Sequence, residues 1–383
     1  MTATTHPEYN MHTTALTVAT AFPSGIKGRT ILVTGVNRKG LGYAAAEAFA
    51  SQSPELLILA GRNSQKIEEC VNLLEKSFPH VKYRVLLLDL GCQQRTREAA
   101  AVVNQWDDVP KIDIVVNNAA IMEVPTRQLN EDGWEKHFAT NHVGHFLFTN
   151  LIMGKIIDAS QRPGSKAGDT RIVNVSSLGT RYSPVRWSDI NFERTNDSLP
   201  LREQSNYAAL SQLGNIGTES DIKRGSYIPF VAYGQSKTAN ILFGLGLNER
   251  LYEKYGILSV AVHPGTIITE LSREIPPDAL ERRVASLQKN GIIFKELGAG
   301  ASTTMVAALD PALGMPIRRL AVEKDLMRTG NDTKDGEGEW EGKGAYLSDC
   351  QIGGEPNLWS TSWDEARKLW ALSQEMVGET FSY

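Results

Sequence analysis

Short apolar runs alternate with amphipathic stretches along most of the chain. TILVTG is continuous, apolar and ends in glycine, and GYAAAEAFASQ behind it has the composition of a helix. ELLILAG is a second run, and SQKIEECVNLLEKSF repeats its apolar residues at helical spacing, with Ser64 as the expected N-cap. YRVLLLDL, KIDIVVNNA, TRIVNVSS and ILSVAVHPG are further strand-like runs. Strands that are apolar without alternation are buried on both faces, so the pattern predicts a parallel sheet covered by helices. Right-handed crossovers then make it a doubly wound α/β sheet.

Some stretches leave this rhythm. Residues 1–28 are Thr-rich and read as an irregular tail on the surface. The remainder, 29–383, reads as a single domain. Within it, 178–230 is polar, weakly periodic and reads as an insertion, and 271–383 forms a substrate-side and C-terminal segment. That segment holds short helical pieces, a polar Gly-rich loop near 330–344 and a strand-like AYLSD. It closes on a helix with Ser362 at its N-cap, Glu365 three residues on and Gly378 as terminator.

Composition narrows the classes. The 383 residues carry a net charge of −4, which gives no reason to expect nucleic acid as a partner. Cys70, Cys92 and Cys350 lie far apart, without metal spacing or an even disulfide framework. No apolar run approaches a membrane span, and the start is too polar for a signal peptide. The expectation is a cytoplasmic protein with a small-molecule substrate. The sequence does not decide between a monomer and a homodimer.

The first strand leads into Gly35-Val36-Asn37-Arg38-Lys39-Gly40-Leu41-Gly42, and a helix follows. Glycines there let the backbone approach a pyrophosphate, which a helix N-terminus stabilises. A tight structural turn would look the same. The second strand ends in Ala60-Gly61-Arg62, with no carboxylate to accept the ribose hydroxyls of NAD. Arg62, with Arg38 and Lys39, suits a ribose phosphate instead, so NADP(H) is the expected cofactor. Farther on, Tyr233 stands four residues ahead of Lys237, at the start of a long expected helix. The two side chains share a face, and an ammonium beside a phenol favours proton exchange near neutral pH. A chance pairing on a helix face is the alternative.

Taken together, TGVNRKGLG, LDL at Leu88–Leu90, NNAA at Asn117–Ala120, NHVG at Asn141–Gly144, VNVSS, YGQSK and PGTIIT resemble the short-chain dehydrogenase/reductase family, over roughly 27–271 plus the strand near Tyr346. NHVGHF and YGQSKTAN look most like the branch that includes retinol dehydrogenases and WW-domain oxidoreductases. The resemblance implies that Tyr233 is the acid/base, that Lys237 tunes it and holds the nicotinamide ribose, that Ser177 polarises the substrate oxygen and that Asn141 holds a relay water. It places Asp89 and Leu90 near the adenine, Asn117 and Ala119 along the cofactor cleft, and Pro264, Gly265, Ile267 and Thr269 at the nicotinamide.

The chain also departs from the family. Its glycine turn is one residue longer than usual, and Ala120 stands where glycine is usual, a methyl that would crowd the cofactor. The insertion between Ser177 and Tyr233 is large, and Tyr182, Trp187 and Phe192 in it either wall a substrate pocket or pin the insertion down. His137, His142 and His145 fall at helical spacing, but no metal site is expected, because the Asn141 motif already explains that stretch. Trp340, Trp359, Trp363 and Trp370 are expected to dock the C-terminal segment. The reading is an NADP(H)-dependent oxidoreductase acting on the carbonyl or secondary alcohol of a moderately large, partly apolar metabolite. A non-redox enzyme on this scaffold, or a cofactor-sensing binding protein, is the alternative.

Overall fold

A computed structural model describes residues 4–211, 216–273, 275–289, 291–313, 346–353 and 358–383. Trp340 and the polar loop expected near 330–344 lie outside them. The strands are β1 (Thr30–Thr34), β2 (Leu56–Gly61), β3 (Lys82–Leu87), β4 (Ile114–Asn117), β5 (Arg171–Val175), β6 (Leu258–His263), β7 (Tyr346–Ser348) and β8 (Gln351–Ile352). The helices are α1 (Ala15–Ala21), α2 (Leu41–Ala50), α3 (Ser64–Ser77), α4 (Gln93–Asn104), α5 (Lys136–Phe138), α6 (Gly144–Leu151), α7 (Met153–Ser160), α8 (Tyr207–Ser211), α9 (Glu219–Arg224), α10 (Pro229–Tyr255), α11 (Pro277–Lys289), α12 (Leu297–Gly300), α13 (Ser302–Leu309) and α14 (Trp363–Val377).

The strands form one sheet in the order β3-β2-β1-β4-β5-β6-β7-β8. All neighbours pair in parallel except β7 with β8. Every residue of β1, β4, β5 and β6 is buried, which accounts for their unbroken apolar character. Leu32, Phe146, Leu242 and Trp370 belong to the core on one face, under α4, α6, α10 and α14. Val33, Phe49, Leu74 and Val306 belong to the core on the other, under α1, α2, α3 and α13. The chain reverses direction across the sheet at β1, between β2 and β4. A crevice therefore opens over the strands' C-terminal ends, where sheets of this topology bind ligands.

The structure differs from the sequence expectation in three local ways. The N-terminal stretch is not irregular throughout: α1 buries Ala15, Val18 and Ala19, and Thr14 caps it by accepting from the Thr17 amide at 3.2 Å. Helix α3 is capped by Asn63 rather than Ser64, because the Asn63 side chain is the one that accepts from the Lys66 amide. Helix α10 begins at Pro229, so Tyr233 lies a full turn inside it. At the other end Ser362 and Gly378 cap α14 as expected.

The insertion carries its own small core of Phe192, Tyr207, Leu210 and Ile222 against Val231 and Ala232 of α10. At its centre the buried Arg186 stacks on Phe192 at 4.2 Å, donates to Asn196 Oδ1 and pairs with Asp189. Tyr182 packs on this core and Trp187 on the main one. All three aromatics hold the insertion in place, and none lines the cavity described below. Among the described residues no helix is long and apolar enough to cross a membrane.

Candidate active site

A cavity of about 310 Å³ opens over the ends of β1, β4 and β5. Its floor is the glycine turn. Gly35 has φ +72°, and a Cβ there would come within 2.5 Å of Ala119 Cα, so only glycine lets the first and fourth strand ends meet. No side chain caps α2 at Gly40, which lines the cavity with Leu41, so the positive end of the helix lies beside it. Asn37 Oδ1 is buried beside the turn with no hydrogen-bond partner among the described residues. An uncapped helix start and a cradle closed to any Cβ together fit a dinucleotide phosphate.

Of the expected cofactor residues, Gly35, Asn37, Gly40, Leu41, Arg62, Leu90, Ala119, Tyr233, Lys237, Pro264 and Thr269 line this cavity. Arg38, Lys39, Gly42, Asp89, Asn117, Gly265 and Ile267 do not. Arg38 turns outward to Glu69 at 3.4 Å. The Asp89 carboxylate pairs with Arg95 at 3.0 Å and accepts from the Gly91 amide, while Leu88 and Leu90 face the cavity. Asn117 lies behind the wall and donates to Thr149 and Asn174. Arg62 is exposed at the rim, and Lys66, one helical turn farther on, spans the mouth to Glu270 at 2.7 Å. In the sequence only its place four residues after Arg62 marks Lys66.

Helix α10 carries the expected acid/base pair. Tyr233 and Lys237 are 4% and 1% exposed. Lys237 Nζ lies 5.6 Å from the Tyr233 ring centre and donates to the Val175 carbonyl at 2.9 Å. Among the described residues no carboxylate pairs with it, and burial alone pushes its pKa from 10.5 down to about 7. Ser177 follows β5 and accepts from the Gly179 amide. A methyl placed on Gly179 would lie 3.6 Å from the Tyr233 ring and 3.7 Å from Ser177 Oγ, so the two groups flank one point.

Asn141 sits in a π-helical stretch, Ala139–Val143, between α5 and α6. Such bulges re-aim a carbonyl out of the helical ladder and recur at functional sites. The Asn141 side chain exchanges both bonds with the Ile121 backbone and also donates to Ser236. Its carbonyl accepts from His145 Nδ1 at 3.0 Å. Burial holds His145 neutral, with a pKa near 4. Its Nε2 is therefore the acceptor, and Thr34 Oγ1 donates to it at 2.9 Å. Thr34 in turn accepts from the Asn118 and Ala119 amides. This chain of bonds ties the glycine-turn strand to Asn141, and the sequence does not show it because Thr34 and His145 are 111 positions apart.

The other two histidines of this cluster have separate duties. His137 bonds Glu135 and His142 bonds Ser373. Among the described residues no group of His, Cys, Asp and Glu could hold a metal ion. Trp370 packs edge-on against Phe146, and Trp359 donates to the Thr180 carbonyl, so both dock the C-terminal segment.

Comparison with known proteins follows the same lines. The family described as short chain dehydrogenase matches residues 29–189. Oxidoreductase fscI of Fusarium equiseti is 36% identical over 253 residues, covering 66% of this chain and 93% of that protein. Human retinol dehydrogenase 14 is 29% identical over 93% of this chain and 88% of its own length. Among solved structures, a short-chain type dehydrogenase/reductase from Mycobacterium marinum superposes with a TM-score of 0.51 at 16% identity, over 76% of this chain and 91% of that one. An uncharacterized protein from Mycobacterium Paratuberculosis gives 0.59 at 23% identity, over 95% and 98%.

Proposed function

The chain belongs to the short-chain dehydrogenase/reductase family, and within it we propose an NADP(H)-dependent reductase of a ketone or aldehyde on a moderately large, partly apolar small molecule. The observation that carries this reading is the buried Tyr233–Lys237 pair, flanked by Ser177, at one end of a cleft whose other end offers Arg62 where an acidic residue would accept NAD.

The glycine turn and the start of α2 hold the pyrophosphate. Arg62 takes the ribose phosphate, and Lys66 joins it by exchanging Glu270 for the stronger anion. When bound, the reduced nicotinamide supplies the hydride. Ser177 Oγ donates to the substrate oxygen and fixes the carbonyl carbon toward that face. Tyr233 gives its phenolic proton to the same oxygen as negative charge develops there. Lys237 Nζ, in its protonated form, stabilises the phenolate left behind and donates to the ribose hydroxyls. Asn141, held in the π-helical stretch, positions the water that returns a proton toward Lys237. In alcohol oxidation Tyr233 acts as the base.

Purified protein is incubated with NADPH or NADH and a panel of ketones and aldehydes, and loss of reduced-cofactor absorbance is followed. Turnover with NADPH that falls about a thousandfold in Tyr233→Phe, with NADPH binding retained, supports the reading. Turnover that survives the substitution contradicts it.

A further inference from the structure

Beside Tyr233 lies a buried pair that the proposed reaction does not use. His137, in α5, packs its ring edge-on against the Tyr233 ring, with centroids 6.4 Å apart and planes at 71°. Both nitrogens of His137 are engaged. The Val124 amide donates to Nε2 at 3.2 Å, so that nitrogen carries no proton. The ring's proton therefore sits on Nδ1 and is donated to Glu135 Oε1 at 2.7 Å. Glu135 Oε2 accepts from the Phe138 amide at 2.9 Å. Glu135 and His137 are both completely buried. Buried polar groups are costly unless satisfied, and here each side chain holds the other in one orientation.

The pair also reaches the wall of the cofactor cavity. Asn118, Ala119, Ala120 and Ile121 line that cavity. The chain then runs to Val124 through Glu123, whose φ of +54° lies in the left-handed region that a glutamate rarely adopts. It is clamped on both sides of that residue. Asn141 exchanges both bonds with Ile121, and His137, four residues before Asn141, takes the Val124 amide. The insertion completes the clamp. Its Tyr227 hydroxyl donates to the Val124 carbonyl at 2.8 Å, and its Asn191 side chain accepts from the Glu135 amide at 2.9 Å. Tyr227 stands two residues before α10, the helix that carries Tyr233. The contacts thus run from the insertion through Val124 and His137 to the ring of Tyr233.

We propose that Glu135 and His137 are positioning residues for the acid: they hold the Tyr233 ring and the wall at 121–124 in one register, and the insertion 178–230 is their brace. The inference rests on the reductase reading for the step that Tyr233 performs. Neither Glu135 nor His137 lines the cavity, so their effect passes through the direction of the phenol. A misplacement of about 1 Å at a reacting group costs up to about a hundredfold in rate. The small core of the insertion then acquires a role beyond its own stability. Phe192, which follows Asn191, packs edge-on against Tyr227 at 5.8 Å, and so sets both contacts to the pair.

Two variants of the full chain test this. His137→Phe keeps a ring against Tyr233 and loses both hydrogen bonds. Tyr227→Phe removes one hydroxyl and leaves the pair itself intact, so it reports even where the first variant does not fold. With NADPH and an accepted ketone, His137→Phe should lower kcat about 10- to 100-fold and Tyr227→Phe severalfold, with KM for NADPH unchanged. The solvent deuterium isotope effect on kcat should rise in both, because a misdirected phenol slows proton transfer. A loss of folded protein alone would leave that effect where it was. Hydrogen exchange on the cofactor-free protein, read by mass spectrometry, should be about tenfold faster at 121–124 in both variants. Native kcat in either folded variant, a lowered kcat with an unmoved isotope effect, or unchanged exchange at 121–124 overturns the inference. Where the native protein reduces no ketone, the reductase reading falls, and exchange at 121–124 still upholds or removes the clamp.

Discussion

Lys237→Met separates what the site costs from what it does. Lys237 is buried, and among the described residues the one hydrogen bond at its ammonium goes to the Val175 carbonyl. That carbonyl also accepts from Asn240 Nδ2 at 3.1 Å, so methionine leaves it partnered. Holding the amine at a pKa of about 7 rather than 10.5 costs roughly 4 kcal/mol at pH 7. The sign follows from proton counting. Between these two values the unfolded chain binds the proton and the folded one does not, so this group's contribution to stability rises with pH up to about 10.5 and is lowest below 7. Methionine removes the whole dependence. Urea midpoints of both proteins, measured from pH 6.5 to 9.5, should show the variant more stable by about 2–4 kcal/mol at the acid end, with the gap closing as pH rises. Its turnover should fall at least a hundredfold at every pH. A variant that is less stable throughout, or a gap that does not change with pH, refutes the claim that Lys237 is a buried, uncompensated amine.

Arg62→Ala should weaken NADPH binding about tenfold and leave NADH binding unchanged, as read by fluorescence titration; an equal loss for both cofactors would remove Arg62 from the phosphate site. Gly144→Ala puts a methyl 2.2 Å from the Leu90 carbonyl, so it should cost about 2–3 kcal/mol in urea unfolding and also weaken cofactor binding, because Leu90 lines the cavity. Arg186→Ala strands the buried Asp189 and should cost about 3–5 kcal/mol, with protease cleavage appearing first within 178–230.

What the sequence revealed and what it hid divide along physical lines. Strands β1, β2, β4, β5 and β6 were legible because burial on both faces makes them continuously apolar. Tyr233 with Lys237, and the turn from Gly35 to Gly42, were legible because each group acts within a few residues. Helix α1 was hidden because its apolar stripe is only Ala15, Val18 and Ala19, and its burial is decided by packing on α13, nearly three hundred residues away. The insertion gave no periodic signal because it is organised around the side chain of Arg186, which bonds the backbone at Arg194 and Ser226. Lys66 with Glu270, and Lys295 against Gly265, are pairings made by the topology of the sheet ends. Asp89 shows the reverse case, a residue whose motif matched but whose carboxylate is already bonded to Arg95 and the Gly91 amide.

Hydride transfer is the claim on which the rest depends. NADPH deuterated at the transferable position would be incubated with the protein and an accepted ketone, and the product alcohol examined by mass spectrometry. One deuterium is expected on the carbinol carbon, and none when Tyr233→Phe replaces the native protein. Product formed with no deuterium and no NADPH consumed would contradict it and make the protein a non-redox enzyme on this fold.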